Sequence, residues 1–158
     1  MLSTRWRPQP TSGPRASGTS ALSDAEWQIV LSGRAHVLFE GSKSVLRKTI
    51  DRLIAELPRP VERWSKHCEI PAAPYRMIVE DVAALGDADQ QTLFELMSGP
   101  FSPAQVISTS TTRVYDAVLR HQFDAELYYR LNTVRLELGP EAGRSGGTGR
   151  RVARSPHR

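Results

Sequence analysis

Apolar residues recur at intervals of three and four along much of this chain, between segments broken by glycine and proline. Leu46, Ile50, Leu53 and Leu57 show the spacing most clearly, and Pro58 follows them. Such spacing lines one face of an α-helix with apolar side chains. No segment shows the polar–apolar alternation that is typical of a half-buried strand. The sequence therefore predicts an all-α protein, a small bundle of about six helices.

Local signals indicate where these helices begin and end. Ser23 and Glu26 have the spacing of a capping box ahead of an apolar run. Asp124 is a candidate N-cap of the last helix. We expect helices over residues 23–40, 44–57, 74–85, 87–97, 102–108, 111–121 and 124–138.

Composition divides the chain into three parts. Residues 1–21 are rich in proline, serine and arginine, and residues 139–158 are rich in glycine and arginine, with few apolar side chains in either. Such segments bury too little surface to offset the entropy lost on ordering. We therefore predict a disordered basic tail at each end and a single helical domain over residues 22–138.

Net charge follows the same division. Residues 1–20 carry +3 and residues 139–158 carry +4, whereas the residues between them carry −3. The positive charge of the chain is thus a property of its tails. Basic tails either contact polyanions without sequence preference or aid solubility, and both interpretations stay open.

A single cysteine, Cys68, excludes an intrachain disulfide and a cysteine-rich zinc site. No apolar run approaches the ~18 residues of a membrane span, and the first residues lack the apolar stretch of a secretory signal. We expect a cytoplasmic protein that does not cross a membrane.

Residues 102–121 resemble a helix-turn-helix, the DNA-binding motif of two crossed helices. Ala104 supplies the small residue of the first helix, and Ile107 supplies the large apolar residue at its end. Serine and threonine over 109–112 suit the entry to a recognition helix. The apolar inner face of that second helix consists of Val114, Ala117 and Val118. The resemblance implies a helix-turn-helix-like unit over residues 100–121, and a plain helical hairpin is the alternative.

The resemblance also implies which side chains face DNA. Those on the outer side of the second helix are Thr111, Thr112, Arg113, Asp116 and Arg120. Arg113 lies near the helix start, where a base-reading side chain is expected. The basic face of the 44–57 helix offers further phosphate contacts through Lys43, Arg47 and Lys48, unless it is simply a solvated face.

Motifs for catalysis and cofactor binding are absent from the sequence. There is no glycine loop for phosphates, no nucleophile elbow and no zinc-protease pattern. His67 and Cys68 lack a second pair of ligands nearby, and Glu80 and Asp81 fit an exposed helix face better than a cation loop. We therefore expect no enzyme activity, no cofactor and no metal.

The last predicted helix carries a seam of Leu127, Leu131, Val134 and Leu138. Spacings of four, three and four suit either a homodimer interface or the core of the monomer. The sequence as a whole favours a helix-turn-helix protein that binds duplex DNA, such as a transcriptional regulator or accessory factor. The alternative is a helical adaptor that binds another protein through an apolar helix face.

Overall fold

A computed structural model describes residues 22–65, 70–72 and 74–139 of the chain. Its helices are α1 (Asp24–Ser32), α2 (Lys43–Glu56), α3 (Asp87–Ser98), α4 (Val114–Leu119) and α5 (Ala125–Leu131). Its strands are β1 (Val37–Gly41), β2 (Val61–Arg63), β3 (Arg76–Val79), β4 (Gln105–Ser110) and β5 (Val134–Leu138). A short 3-10 turn at Val82–Ala84 follows β3. The two predicted tails, residues 1–21 and 139–158, fall outside the described residues, apart from Gly139.

The five strands form one sheet in the order β2-β3-β4-β1-β5, and every pairing is parallel. Helices α1 and α2 pack on one face of the sheet, and α3, α4 and α5 pack on the other. The protein is therefore an α/β domain of three layers, and the prediction of an all-α bundle was wrong.

Strand β1 shows why the sequence misled. Val37, Leu38 and Phe39 are all fully buried, because alternate side chains enter the two hydrophobic cores on opposite faces of the sheet. Parallel strands covered on both faces read as continuous apolar runs rather than as alternation. When such a run follows a helix, its apolar residues can be mistaken for a continuation of the helix. The predicted helix over residues 23–40 therefore included both α1 and most of β1.

Strand β4 replaces the first helix of the predicted helix-turn-helix. Residues Gln105 to Ser110 are extended and buried at every position, although four of the six are polar. The second helix is reduced to α4, which begins at Val114. A strand at the centre of a sheet cannot form the first of two crossed helices, so the helix-turn-helix prediction was wrong.

The structure contains two of the predicted helix caps, whereas the helices predicted to start at residues 74 and 102 are replaced by β3 and β4. Ser23 caps α1, and the reciprocal bond from its backbone N–H to the Glu26 carboxylate completes the capping box. Asp124 caps α5 by accepting a hydrogen bond from the Leu127 N–H at 2.7 Å. These signals are local, so they hold whatever the elements pack against. None of the described helices is long and apolar enough to cross a membrane.

A partly buried hydrogen bond joins β4 to His36, the residue that precedes β1, at the amino ends of the strands. The Val106 N–H donates to Nδ1 of His36 at 2.9 Å. Burial lowers the pKa of His36, and the nearby Arg130 guanidinium lowers it further. His36 is therefore held neutral, with Nδ1 as an acceptor.

Because its pKa is lower in the folded chain, His36 stabilises the fold at pH values above its unfolded pKa of about 6.5. That contribution is lost as pH falls from there through the folded pKa. We expect His36→Asn, whose Oδ1 can still accept from Val106, to flatten the pH dependence of stability between pH 7 and 5. His36→Ala should cost about 1–3 kcal/mol at pH 7 by leaving a buried N–H unpaired. Urea unfolding at several pH values checks both, and identical pH profiles for wild type and His36→Asn would contradict this account.

Candidate functional site

A cleft of about 500 Å3 opens at the carboxyl ends of the strands. Connections leave the neighbouring strands β1 and β4 toward opposite faces of the sheet, α2 to one and α4 to the other. Ligands of open α/β sheets bind at such a divergence, outside the carboxyl ends of the strands. The residues that line the cleft are Lys43, Leu46, Arg47, Ile50, Asp51, Arg63, Glu80, Asp81, Thr109 and Thr111.

The start of α2 forms the basic side of the cleft. Lys43 and Arg47 lie one helical turn apart and are both exposed. Neither side chain makes an ion pair or hydrogen bond with another residue of the described ranges, and the Ser42 side chain does not cap the helix there. Free N–H groups of a first turn attract anions, and the two cations add to that attraction.

The connection between β1 and α2 is a single residue, Ser42. Gly41 ends the strand so close to β5 that a Cβ atom there would lie 2.8 Å from the carbonyl oxygen of Leu138. Loops that wrap a phosphate insert about eight glycine-rich residues between strand and helix. This connection is too short to enclose a phosphate, so the cleft stays open above α2.

Two carboxylates form the acidic side of the cleft. Glu80 and Asp81 directly follow β3, and Asp81 adopts a left-handed backbone conformation with φ of 51°. Strand β4 holds it there, because the Asp81 N–H donates to Oγ1 of Thr109 at 3.1 Å. The Thr111 hydroxyl lies 3.4 Å from Oδ1 of Asp81. Left-handed non-glycine residues cost about 1–3 kcal/mol and cluster at functional sites.

Charges within the cleft balance. Arg63, at the end of β2, is ion-paired with Glu80, and both side chains are more than half exposed. Three basic and three acidic side chains line the cleft in total. The described residues contain no group of three or more side chains that could hold a metal ion without other ligands. One or two carboxylates do suit Mg²⁺ when a phosphate supplies the remaining oxygen ligands. The arrangement can therefore bind a phosphate together with a divalent cation.

The structure separates the residues that we predicted to face DNA. Lys43, Arg47 and Thr111 meet at the cleft, whereas Lys48 lies on α2 outside it. The others lie before, on or after α4, and they are Thr112, Arg113, Asp116 and Arg120. Among them, Arg113 lies 4.0 Å from Glu137, and Arg120 bonds Gln122 at 3.1 Å. Because the two crossed helices are not present in the described residues, these side chains do not share one helix face that could enter a DNA groove.

The predicted dimer seam lies inside the chain. Leu127 and Leu131 belong to α5 and are buried in the core beneath it, whereas Leu138 belongs to β5 and is buried on the other face of the sheet. Val134, at the start of β5, is partly buried against the same core as Leu138. These side chains therefore do not form one exposed stripe, and homodimer formation stays a prediction.

Sequence reasoning missed the acidic side of the cleft and Arg63. Glu80 and Asp81 were assigned to a helix face, although they follow the apolar run Met77–Val79 directly. Two acids at the end of a buried strand were the available signal. Arg63 carried no such signal, because its place beside Glu80 depends on the pairing of β2 with β3.

Comparisons with known proteins identify the fold alone. No family model and no curated protein matches the sequence. Among solved structures, the chain is similar to NtrX from Brucella abortus, with a TM-score of 0.50 and 13% identity. NtrX structures in complex with ADP and with ATP match with TM-scores of 0.52, again at 13% identity. They cover 77% of this chain but only 36–37% of NtrX, so this chain spans little more than a third of that protein.

These findings also overturn the predicted function. The DNA-binding hypothesis required a helical bundle with a helix-turn-helix, and the adaptor hypothesis required a free apolar helix face of that bundle. The chain is instead an α/β domain whose cleft lies at the carboxyl edge of a parallel sheet.

Proposed function

We propose that this domain binds a nucleoside phosphate, accompanied by Mg²⁺, in the cleft at the carboxyl edge of the sheet. One observation carries the proposal. Lys43 and Arg47 face the carboxylates of Glu80 and Asp81 across the cleft, at the start of a 14-residue helix. Cations and helix N–H groups suit phosphate oxygens, and carboxylates suit the accompanying Mg²⁺.

The similar structures add support from a different direction. The part of NtrX that shares this fold is little more than a third of that protein, and two of the matched NtrX structures are complexes with ADP and with ATP. The cleft volume of about 500 Å3 lies within the usual range for small-molecule and cofactor sites. Leu46 and Ile50 also line the cleft, but both are buried in the core beneath α2, so the exposed lining of the cleft is mainly charged.

The single-residue connection after β1 suggests how this binding differs from that of a phosphate-loop enzyme. Without an enclosing loop, the phosphates lie open to water on the side of Ser42. Catalysis of phosphoryl transfer depends on donors fixed around the transferred group and on exclusion of bulk water. We therefore propose a domain that binds the nucleotide without hydrolysing it.

Calorimetric titration of the full chain with ADP and Mg²⁺ tests the proposal. Each of Lys43 and Arg47 would supply a charge-assisted bond to phosphate. The variant Lys43→Ala/Arg47→Ala should therefore bind about 100-fold more weakly than wild type, at roughly tenfold for each lost bond.

Lys48→Ala is the matched control. It removes one positive charge from the same helix, where the double variant removes two, and it lies outside the cleft. The affinity of this variant for ADP should therefore stay within about twofold of wild type. Equal losses in Lys48→Ala and in the double variant would indicate non-specific attraction to a basic surface. That result, or no binding by wild type, would contradict the proposal.

A further inference from the structure

Arg63 and Glu80 form an ion pair at the ends of the adjacent strands β2 and β3, within the cleft. We propose that this pair selects the magnesium complex of the nucleotide over the free nucleotide, through an exchange of partners. The phosphate takes Arg63 from Glu80, and the released carboxylate takes the Mg²⁺. The inference rests on the proposed function. It adds that the bound ligand is the magnesium complex and that Arg63 and Glu80 distinguish it from the free nucleotide.

Charge balance supports selection of the complex. The three basic and three acidic side chains of the cleft leave it with no net charge. Free ADP carries about three negative charges at neutral pH, since a terminal phosphate has its second pKa near 6. It would bring those charges beside Glu80 and Asp81, whereas bound Mg²⁺ cancels two of them and offers the carboxylates a cation.

Exposure of the pair makes the exchange inexpensive. The side chains of Arg63 and Glu80 are 56% and 53% exposed, and exposed ion pairs contribute little to stability. Breaking this pair therefore costs little stability. In exchange, Arg63 binds the multiply charged phosphate and Glu80 binds the doubly charged Mg²⁺. A buried pair in the same place would resist separation.

Asp81 is held differently from Glu80, which assigns distinct roles to the two carboxylates. Contacts with Thr109 and Thr111 of the neighbouring chain segment fix the Asp81 backbone and its carboxylate. Among the described residues, Arg63 is the one partner of the Glu80 side chain. Glu80 can therefore reorient toward a cation when Arg63 leaves, while Asp81 keeps its position.

The test is the affinity of the full chain for ADP, measured with excess Mg²⁺ and again with EDTA. In wild type, Mg²⁺ should tighten binding about tenfold. Glu80→Gln should bind metal-free ADP about fivefold more tightly than wild type does, because Arg63 is released and one repelling charge is gone. In the same variant, the advantage from Mg²⁺ should fall to about twofold or less.

Arg63→Gln provides the second arm. This variant should bind metal-free ADP about fivefold more weakly than wild type does, because a phosphate contact is lost. The gain in ADP affinity on adding Mg²⁺ should be as large as in wild type, because Glu80 is free to bind the cation. Glu62→Gln is the control, since it removes the same charge one residue from Arg63 without touching the cleft. Its magnesium dependence should match wild type.

Two outcomes separate the two proposals. If wild type binds ADP and Glu80→Gln keeps the full magnesium dependence, this inference is overturned and the proposed function stands. If wild type binds ADP neither with Mg²⁺ nor with EDTA, the proposed function is overturned and this inference falls with it.

Discussion

Replacement of Glu40 by alanine is expected to lower the free energy of unfolding by about 3–5 kcal/mol. Glu40 lies at the carboxyl end of β1, and only 6% of its side chain is exposed. Oε1 accepts the Val114 N–H at the start of α4 at 2.8 Å, and Oε2 accepts Nε of Arg135 on β5 at 2.7 Å. The truncation leaves the buried Val114 N–H unpaired and removes the buried one of the two carboxylates that pair with Arg135, so the guanidinium keeps only the exposed Glu137.

Urea unfolding followed by far-UV circular dichroism measures this loss. Glu40→Gln keeps an oxygen for the Val114 N–H but removes the charge, so we expect about half the effect of alanine. Glu95→Ala, at an exposed position of α3, should change stability by no more than about 0.5 kcal/mol. A Glu40→Ala variant within about 1 kcal/mol of wild type would show that this network does not fasten α4 to the sheet.

Replacement of Gln105 by alanine should cost about 3 kcal/mol, the second largest effect that we expect. Gln105 begins β4 and is fully buried. Nε2 donates to the carbonyl oxygens of Val30 and Ala35, both at 2.9 Å. Nε of Arg76 donates to Oε1 at 3.2 Å. Alanine would leave these groups without their partner and open a cavity beneath α1.

Thermal and urea unfolding of Gln105→Ala should be compared with Gln91→Ala. Gln91 is exposed on α3 and bonds only Glu95 among the described residues, so its loss should cost about 0.5 kcal/mol or less. Equal stability of the two variants would mean that the buried amide does not join α1 to the sheet. Both variants leave the cleft untouched, so nucleotide affinity should be unchanged wherever they are folded.

The comparison of Gln105 with Ser23 shows what the sequence could reveal. The capping box at Ser23 involves residues three apart, so its geometry is written in the local sequence. The partners of Gln105 lie 29, 70 and 75 residues away, and only the tertiary fold brings them together. Polar residues of a central strand therefore look like a turn until the sheet is known.

Part of the candidate site was likewise visible in the local sequence, and part depended on the tertiary fold. Lys43 and Arg47 were predicted to contact phosphates, because a basic helix face is visible in sequence, although the predicted ligand was DNA. Their position opposite Glu80 and Asp81 depends on the parallel order of β1, β4 and β3, which helical periodicity concealed. The strands were missed because they are buried on both faces, which removes the polar–apolar alternation by which strands are recognised in a sequence.

Amide chemical-shift mapping of the ¹⁵N-labelled chain during titration with ADP and Mg²⁺ tests the location of the site most directly. The account predicts saturable shifts at the first turn of α2 from Ser42, at Arg63, at Glu80 and Asp81, and at Thr111. Amides of α4 and α5 away from the cleft should stay unchanged. Shifts confined to α4 and α5, or none at millimolar nucleotide, would contradict a nucleotide site at the carboxyl edge of this sheet.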